Sequence, residues 1–150
     1  MKLKLPPAIV FIVFGLSMYL LAKFLPFGNF EFFGRRYLMF FLLVSAGIIA
    51  IVALAQFFLS RTTVDPVHPS KAKELVDRGV YAYSRNPMYL ALLMILLAWG
   101  IWLGNAFNTL LAAAFVGYMN HFQIIPEEEA LLKIFGNRYR QYCMKTRRWF

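Results

Sequence analysis

Two short stretches hold most of the side chains in this sequence that could bind or transform a small molecule. The first, Gly79-Val80-Tyr81-Ala82-Tyr83-Ser84-Arg85-Asn86-Pro87-Met88-Tyr89, combines a fixed cation, an amide and several phenols. The second places Asn120, His121 and Gln123 just ahead of the adjacent acids Glu127 and Glu128. Arginine beside the free amides of a helix start suits a carboxylate. His121 is the histidine nearest these groups, and an imidazole that titrates near neutrality is a candidate general base. Each residue also has an ordinary use. Tyrosines anchor at a membrane border, a lone arginine sets topology, Asn120 and His121 can hydrogen-bond between helices, and the acids can cap a helix. It is the clustering that favours chemistry.

The elements that must position these groups are apolar. Hydrophobic residues make up 61% of the 150-residue chain and charged residues 15%, more apolar surface than one water-soluble core of this size can bury. A single domain in lipid is the consequence. Four runs reach roughly the length needed to cross the ~30 Å hydrocarbon layer: Ala8 to Phe24, Tyr37 to Leu59, Pro87 to Leu103 and Ala106 to Ile125. Gly104-Asn105 allows only a tight turn between the last two, so they should form an antiparallel hairpin whose far ends bring Tyr81 to Asn86 beside Asn120 to Gln123. Beyond Pro126, Leu131, Phe135, Tyr139 and Tyr142 recur at helical spacing, which predicts an amphipathic interfacial helix over 127–145, with Gly136 as a point of bending. The expected fold is therefore an all-α integral membrane protein of about four transmembrane helices plus a C-terminal amphipathic helix.

Charge sets the orientation. The net charge is +9, and its carriers sit at the ends of apolar runs, which fits anionic lipid head groups and topology rather than nucleic acid. Arg61, Lys71, Lys73, Arg78 and Arg85 in one connection, with Lys133, Arg138, Arg140, Lys145, Arg147 and Arg148 near the C-terminus, place both segments in the cytoplasm of a multi-pass inner or plasma membrane protein. Lys2 and Lys4 before the first run resemble a secretory signal, but no small-residue cleavage site follows Leu21-Ala22-Lys23-Phe24, so this is read as an uncleaved span. Cys143 is the single cysteine, which excludes an intrachain disulfide, and His68 and His121 lack metal-ligand spacing, so no metal site is expected. Every acidic residue lies outside the apolar runs. A proton-coupled exporter would need an intramembrane carboxylate, which argues against transport.

The first stretch, together with Glu127-Glu128, Leu131 and Phe135-Gly136-Asn137-Arg138-Tyr139-Arg140-Gln141-Tyr142, resembles the isoprenylcysteine carboxyl methyltransferase and phospholipid methyltransferase superfamily. The likeness covers roughly Thr62 to Trp149, with Thr62-Thr63-Val64-Asp65-Pro66 similar to the lead-in of bacterial members. It implies S-adenosylmethionine as cofactor, held at the cytoplasmic border by Gly79, Val80, Tyr81, Arg85, Asn86, Pro87, Tyr89, Glu127 and Glu128. It also implies methyl transfer to a lipophilic acceptor that enters from the bilayer. Arg85, Glu128 and His121 are then read as the catalytic residues, with His121 the candidate base if the acceptor is an amine or thiol. Asn120, His121 and Gln123 would then face the acceptor. Two departures bear on that acceptor. Arg85-Asn86-Pro87 stands where eukaryotic prenylcysteine enzymes often read Arg-His-Pro, and the region before the acidic pair lacks their arginine. A phospholipid amine N-methyltransferase, a thiol S-methyltransferase, and a non-catalytic membrane binding protein or small transporter stay open as alternatives.

Overall fold

The computed structural model describes residues 5–25, 27–59 and 74–150. Its order is α1 (Pro7–Phe24), α2 (Arg35–Leu59), a 3₁₀ turn (Gly79–Ala82), α3 (Pro87–Leu103), α4 (Asn108–Tyr118), a π-helical segment (Met119–Ile124), α5 (Ile125–Phe135) and α6 (Asn137–Lys145). The lead-in Thr62 to Pro66, with Arg61, His68, Lys71 and Lys73, lies outside the described residues.

Proline opens both α1 and α3, where its missing N–H removes no helical bond. Among the described residues α1 and α2 are each long and apolar enough to cross a membrane, and α3 is an apolar helix of 17 residues. Their outward faces carry exposed Ile12, Leu16, Phe40, Val44, Ile48 and Phe58, the surface that hydrocarbon would cover. Helix α3 is the axis of the bundle and packs against α1, α2 and α4. Helix α2 buries Met39, Ala46 and Ala53, one residue in every seven, and two of the three are small. Small side chains let helix backbones approach closely where lipid offers no hydrophobic drive for association. On the other side Val10 and Met18 of α1 meet Leu93 and Leu96 of α3, Phe115 of α4 and Met119 beyond it.

The hairpin turn is tied to the loop after α1. Asn105, almost fully buried, donates to the carbonyls of Leu25 (3.3 Å) and Phe27 (3.0 Å) and accepts from the Phe107 amide (3.0 Å). Arg35 donates to the Trp102 carbonyl at 2.9 Å, at the negative end of α3. This arginine is thus engaged as a cap on the C-terminal end of α3.

The second half departs from the sequence expectation in two ways. The run Ala106 to Ile125 is not one α-helix. It becomes α4, then a π segment that passes directly into α5. Pro126 has no N–H for the Phe122 carbonyl, and its ring crowds that carbonyl, so the preceding turn widens. Nor is 127–145 a single helix. It breaks at Gly136, whose φ of +53° is accessible at little cost only to glycine, and α5 and α6 fold separately on either side. The predicted stripe does turn inward. Tyr139 and Tyr142 are buried with Leu75, against Leu131 and Phe135.

Candidate functional site at the charged end of the bundle

Where α3 begins, a cavity of about 570 Å³ opens between the bundle and the C-terminal helices. Its polar end is lined by Tyr81, Arg85, Asn86, Tyr89, Glu127, Glu128, Tyr139 and Tyr142. Its apolar wall comes from Pro7 and Ala8 of α1, Ala50, Leu54 and Phe57 of α2, and Leu92 and Ile95 of α3. One end can thus solvate charge, and the other can hold only hydrocarbon.

Three segments build the polar end. The 3₁₀ turn delivers Tyr81 inward and leads to Arg85 at the mouth of α3. Helix α5 presents the acids from its first turn, where the helix dipole favours negative charge. Glu127 accepts from the Tyr89 hydroxyl (2.7 Å) and from the Gln123 amide one turn earlier. Glu128 faces Arg85 Nη2 at 3.2 Å.

The third segment is a strap over residues 146–149, laid along the segment that precedes α3. Arg85 N donates to the Arg147 carbonyl (2.9 Å), Ser84 Oγ and Asn86 Nδ2 donate to the Arg148 carbonyl (3.2 and 3.0 Å), and Thr146 Oγ1 donates to the Ala82 carbonyl (3.2 Å). Beneath it the Tyr142 hydroxyl donates to the Tyr81 carbonyl at 2.6 Å. The Arg148 side chain grips Glu128 from the far side, Nε to Oε1 and Oε2 at 3.0 and 3.2 Å and Nη2 to Oε2 at 2.7 Å. Trp149 Nε1 donates to Asn120 Oδ1 at 3.0 Å, which ties the strap to the π segment.

Burial first, and then the neighbouring Tyr142, pushes the Tyr81 phenol above its ordinary pKa. It therefore stays a neutral hydroxyl. Burial likewise raises Tyr139 and Tyr142, so the phenols at this end are donors rather than charges. Two buried polar atoms on the cavity lining, Tyr81 Oη and Arg85 Nε, have no hydrogen-bond partner among the described residues. Buried donors left without partners cost stability unless a ligand or water meets them. A cation-accepting acid pair, a guanidinium with an unused donor, and aromatic faces suit a polar small molecule that carries both a carboxylate and a cation.

Of the residues singled out in the sequence, Tyr81, Arg85, Asn86, Pro87, Tyr89, Glu127 and Glu128 line the cavity together. Gly79 and Val80 shape the turn behind them, with the Val80 carbonyl accepting from the amides of Tyr83 and Ser84. Gln123 acts on Glu127, and Asn120 is engaged by Trp149. His121 is not brought to the site. It is exposed, its ring lies edge-on against Phe122, and it is not among the cavity lining. In an unbroken α-helix His121 and Glu128 would share a face. The wider π turn between them rotates the acids away from the histidine. Sequence reasoning passed over Tyr139 and Tyr142 as site residues, although both were on the predicted apolar stripe. It also passed over Arg148, Trp149, Ser84 and Thr146, which carry no local pattern.

The described residues are helical, with apolar spans and a charged cavity at one end, the build of a membrane protein. The family model described as phospholipid methyltransferase matches residues 35–138, and the chain belongs to that family of membrane methyltransferases. It is 52% identical over 62 residues to an uncharacterized protein of Haemophilus influenzae, covering 41% of this chain and 98% of that one. It is 36% identical over 72 residues to the protein-S-isoprenylcysteine O-methyltransferase of Schizosaccharomyces pombe, covering 48% of this chain and 30% of that enzyme. No solved structure matches.

Proposed function

We propose that this chain transfers a methyl group from S-adenosylmethionine to a lipophilic acceptor that enters from the bilayer, at a site facing the cytoplasm of a multi-pass protein. The observation that carries the proposal is the cavity itself. Its charged end is built by the mouth of α3 and the acid pair, and it is continuous with an apolar wall from α1, α2 and α3. When bound, the cofactor supplies a methyl group activated by its sulfonium. Arg85, Asn86 and the free amides at the start of α3 would hold its carboxylate. Glu127 would accept from its ammonium or ribose, and the rings of Tyr81 and Tyr89 would face its cationic part. The protein's work is then alignment and electrostatics in a place lined by Leu75, Phe57, Tyr139 and Tyr142.

The acceptor we favour is an isoprenylcysteine-like carboxylate, since the fission-yeast relative is named for that substrate. The family description favours a second reading, a phospholipid amine. Both present a reactive polar head on a hydrocarbon tail. The test uses purified protein in nanodiscs with methyl-labelled S-adenosylmethionine, offered S-farnesylcysteine or phosphatidylethanolamine in turn. Saturable cofactor binding by calorimetry, with label in one acceptor, supports the proposal. Absence of both binding and transfer sinks it.

A further inference from the structure

The ion cluster at the polar end has one more cation than the reading above uses. Glu128 stands between Arg85 and Arg148, so the three side chains together carry one net positive charge. The two arginines are not equivalent. Arg148 makes the closer, two-point pairing with both carboxylate oxygens and does not line the cavity, whereas Arg85 meets one oxygen at 3.2 Å and does line it. The hydrogen bonds from Arg148 therefore claim most of the carboxylate, and its own guanidinium is held the more firmly protonated by them. Arg85 shares Glu128 with the closer Arg148 rather than pairing with it alone, has a side chain only 12% exposed, and keeps an Nε without a partner among the described residues.

We infer that Arg85, Glu128 and Arg148 form a carboxylate-binding site in which Arg85 faces the ligand and Arg148 is a positioning residue acting through Glu128. Without Arg148, Glu128 would pair with Arg85 alone and offset more of the charge that a carboxylate needs. The main chain supports the same role. The carbonyls of Arg147 and Arg148 accept from Arg85 N, Ser84 Oγ and Asn86 Nδ2, so the strap fixes the backbone on both sides of Arg85 as well as its counter-ion. The inference rests on the proposed methyl transfer, which offers two sources of a carboxylate, the donor's methionine portion or an S-prenylcysteine acceptor.

The experiment measures calorimetric affinities of the full chain in nanodiscs for S-adenosylmethionine, its decarboxylated analogue and S-farnesylcysteine. Arg148→Ala should weaken one carboxylate-bearing ligand about tenfold, the size of one lost charge-assisted contact, and leave the decarboxylated donor unchanged. Arg148→Lys, which keeps the charge but not the two-point grip, should recover part of the loss. Selective loss for the donor assigns the site to the donor, and selective loss for S-farnesylcysteine assigns it to the acceptor. Equal weakening of all three ligands, or no change in any, overturns the inference. Arg148→Gln carries the same comparison if the alanine variant does not fold. Wild-type protein that binds none of the three overturns the methyl-transfer reading itself, and with it this inference. Wild-type binding with an indifferent Arg148→Ala overturns the inference alone.

Discussion

Glu127→Gln separates charge from shape at the acid pair. The amide oxygen that this change introduces can still accept from the Tyr89 hydroxyl, which now lies 2.7 Å from Glu127 Oε1, so the bundle loses little. What disappears is the negative charge offered to a cationic ligand. Hydrogen bonds to charged groups contribute about 1.5 to 3 kcal/mol and neutral ones about 0.5 to 1.5, so the expected loss is about 1 to 1.5 kcal/mol, or roughly five- to twelvefold in affinity. Calorimetry with S-adenosylmethionine reads the affinity, and a melting curve on the same preparation reads the fold. Tyr89→Phe is the control, because it removes the donor to the carboxylate and leaves the charge. It should shift affinity less than Glu127→Gln. Unchanged affinity in Glu127→Gln, or a loss matched by an equal drop in stability, would refute the placing of a cation at Glu127.

Three further outcomes are expected. Gly79→Ala should destabilise the protein by about 1 to 3 kcal/mol, because φ there is +60° and the new methyl would collide with the side-chain amide of Gln56; adding Gln56→Ala should relieve the collision but not the backbone cost, as thermal melting can measure. His121→Ala should leave donor affinity and methyl transfer within about twofold of wild type, since an exposed ring outside the cavity is not placed for the proton transfer that would make it worth about 10²-fold or more; a larger loss of turnover at unchanged stability restores it as a base. In a Cys143→Ser background, cysteines at the exposed positions Tyr83 and Phe33 should be labelled by an impermeant reagent only from the cytoplasmic side and only from the outside, respectively, and the reverse pattern inverts the topology.

The parts of this molecule that sequence reading reached are those whose cause is local. Lipid imposes its demand on each apolar run separately, so helices at 7–24, 35–59 and 87–103 follow from composition and prolines. Gly104-Asn105 interrupts an apolar stretch and turns it. Arg85 and Glu128 could be proposed as neighbours because a hairpin must bring its ends together. The π segment was not readable in the same way. Pro126 announces a disturbed turn, but whether the helix stops, kinks or widens depends on packing, here with Met119 and Ile124 fully buried. That single widened turn decides that His121 lies outside and the acids inside. The strap is the harder case. Thr146 to Trp149 form no helix and show no period, and most of their bonds reach residues 20 or more positions away in sequence, for which spacing holds no signal.

The span of those bonds governs how the protein reaches its final form. Tyr142 to Tyr81, Thr146 to Ala82 and Arg148 to Asn86 close loops of 61, 64 and 62 residues, whereas α3 and α4 meet across a turn of a few residues. Loop-closure entropy must be met before such distant contacts return anything, so the hairpin can form early and the strap late. The charged cavity, whose polar end depends on these bonds, is then expected to assemble after the α3–α4 hairpin and to open before it. Amides of the 3₁₀ turn and of α6 should exchange with solvent through this local opening, at a free energy well below that of α3, so that the site flickers while the spans stay folded.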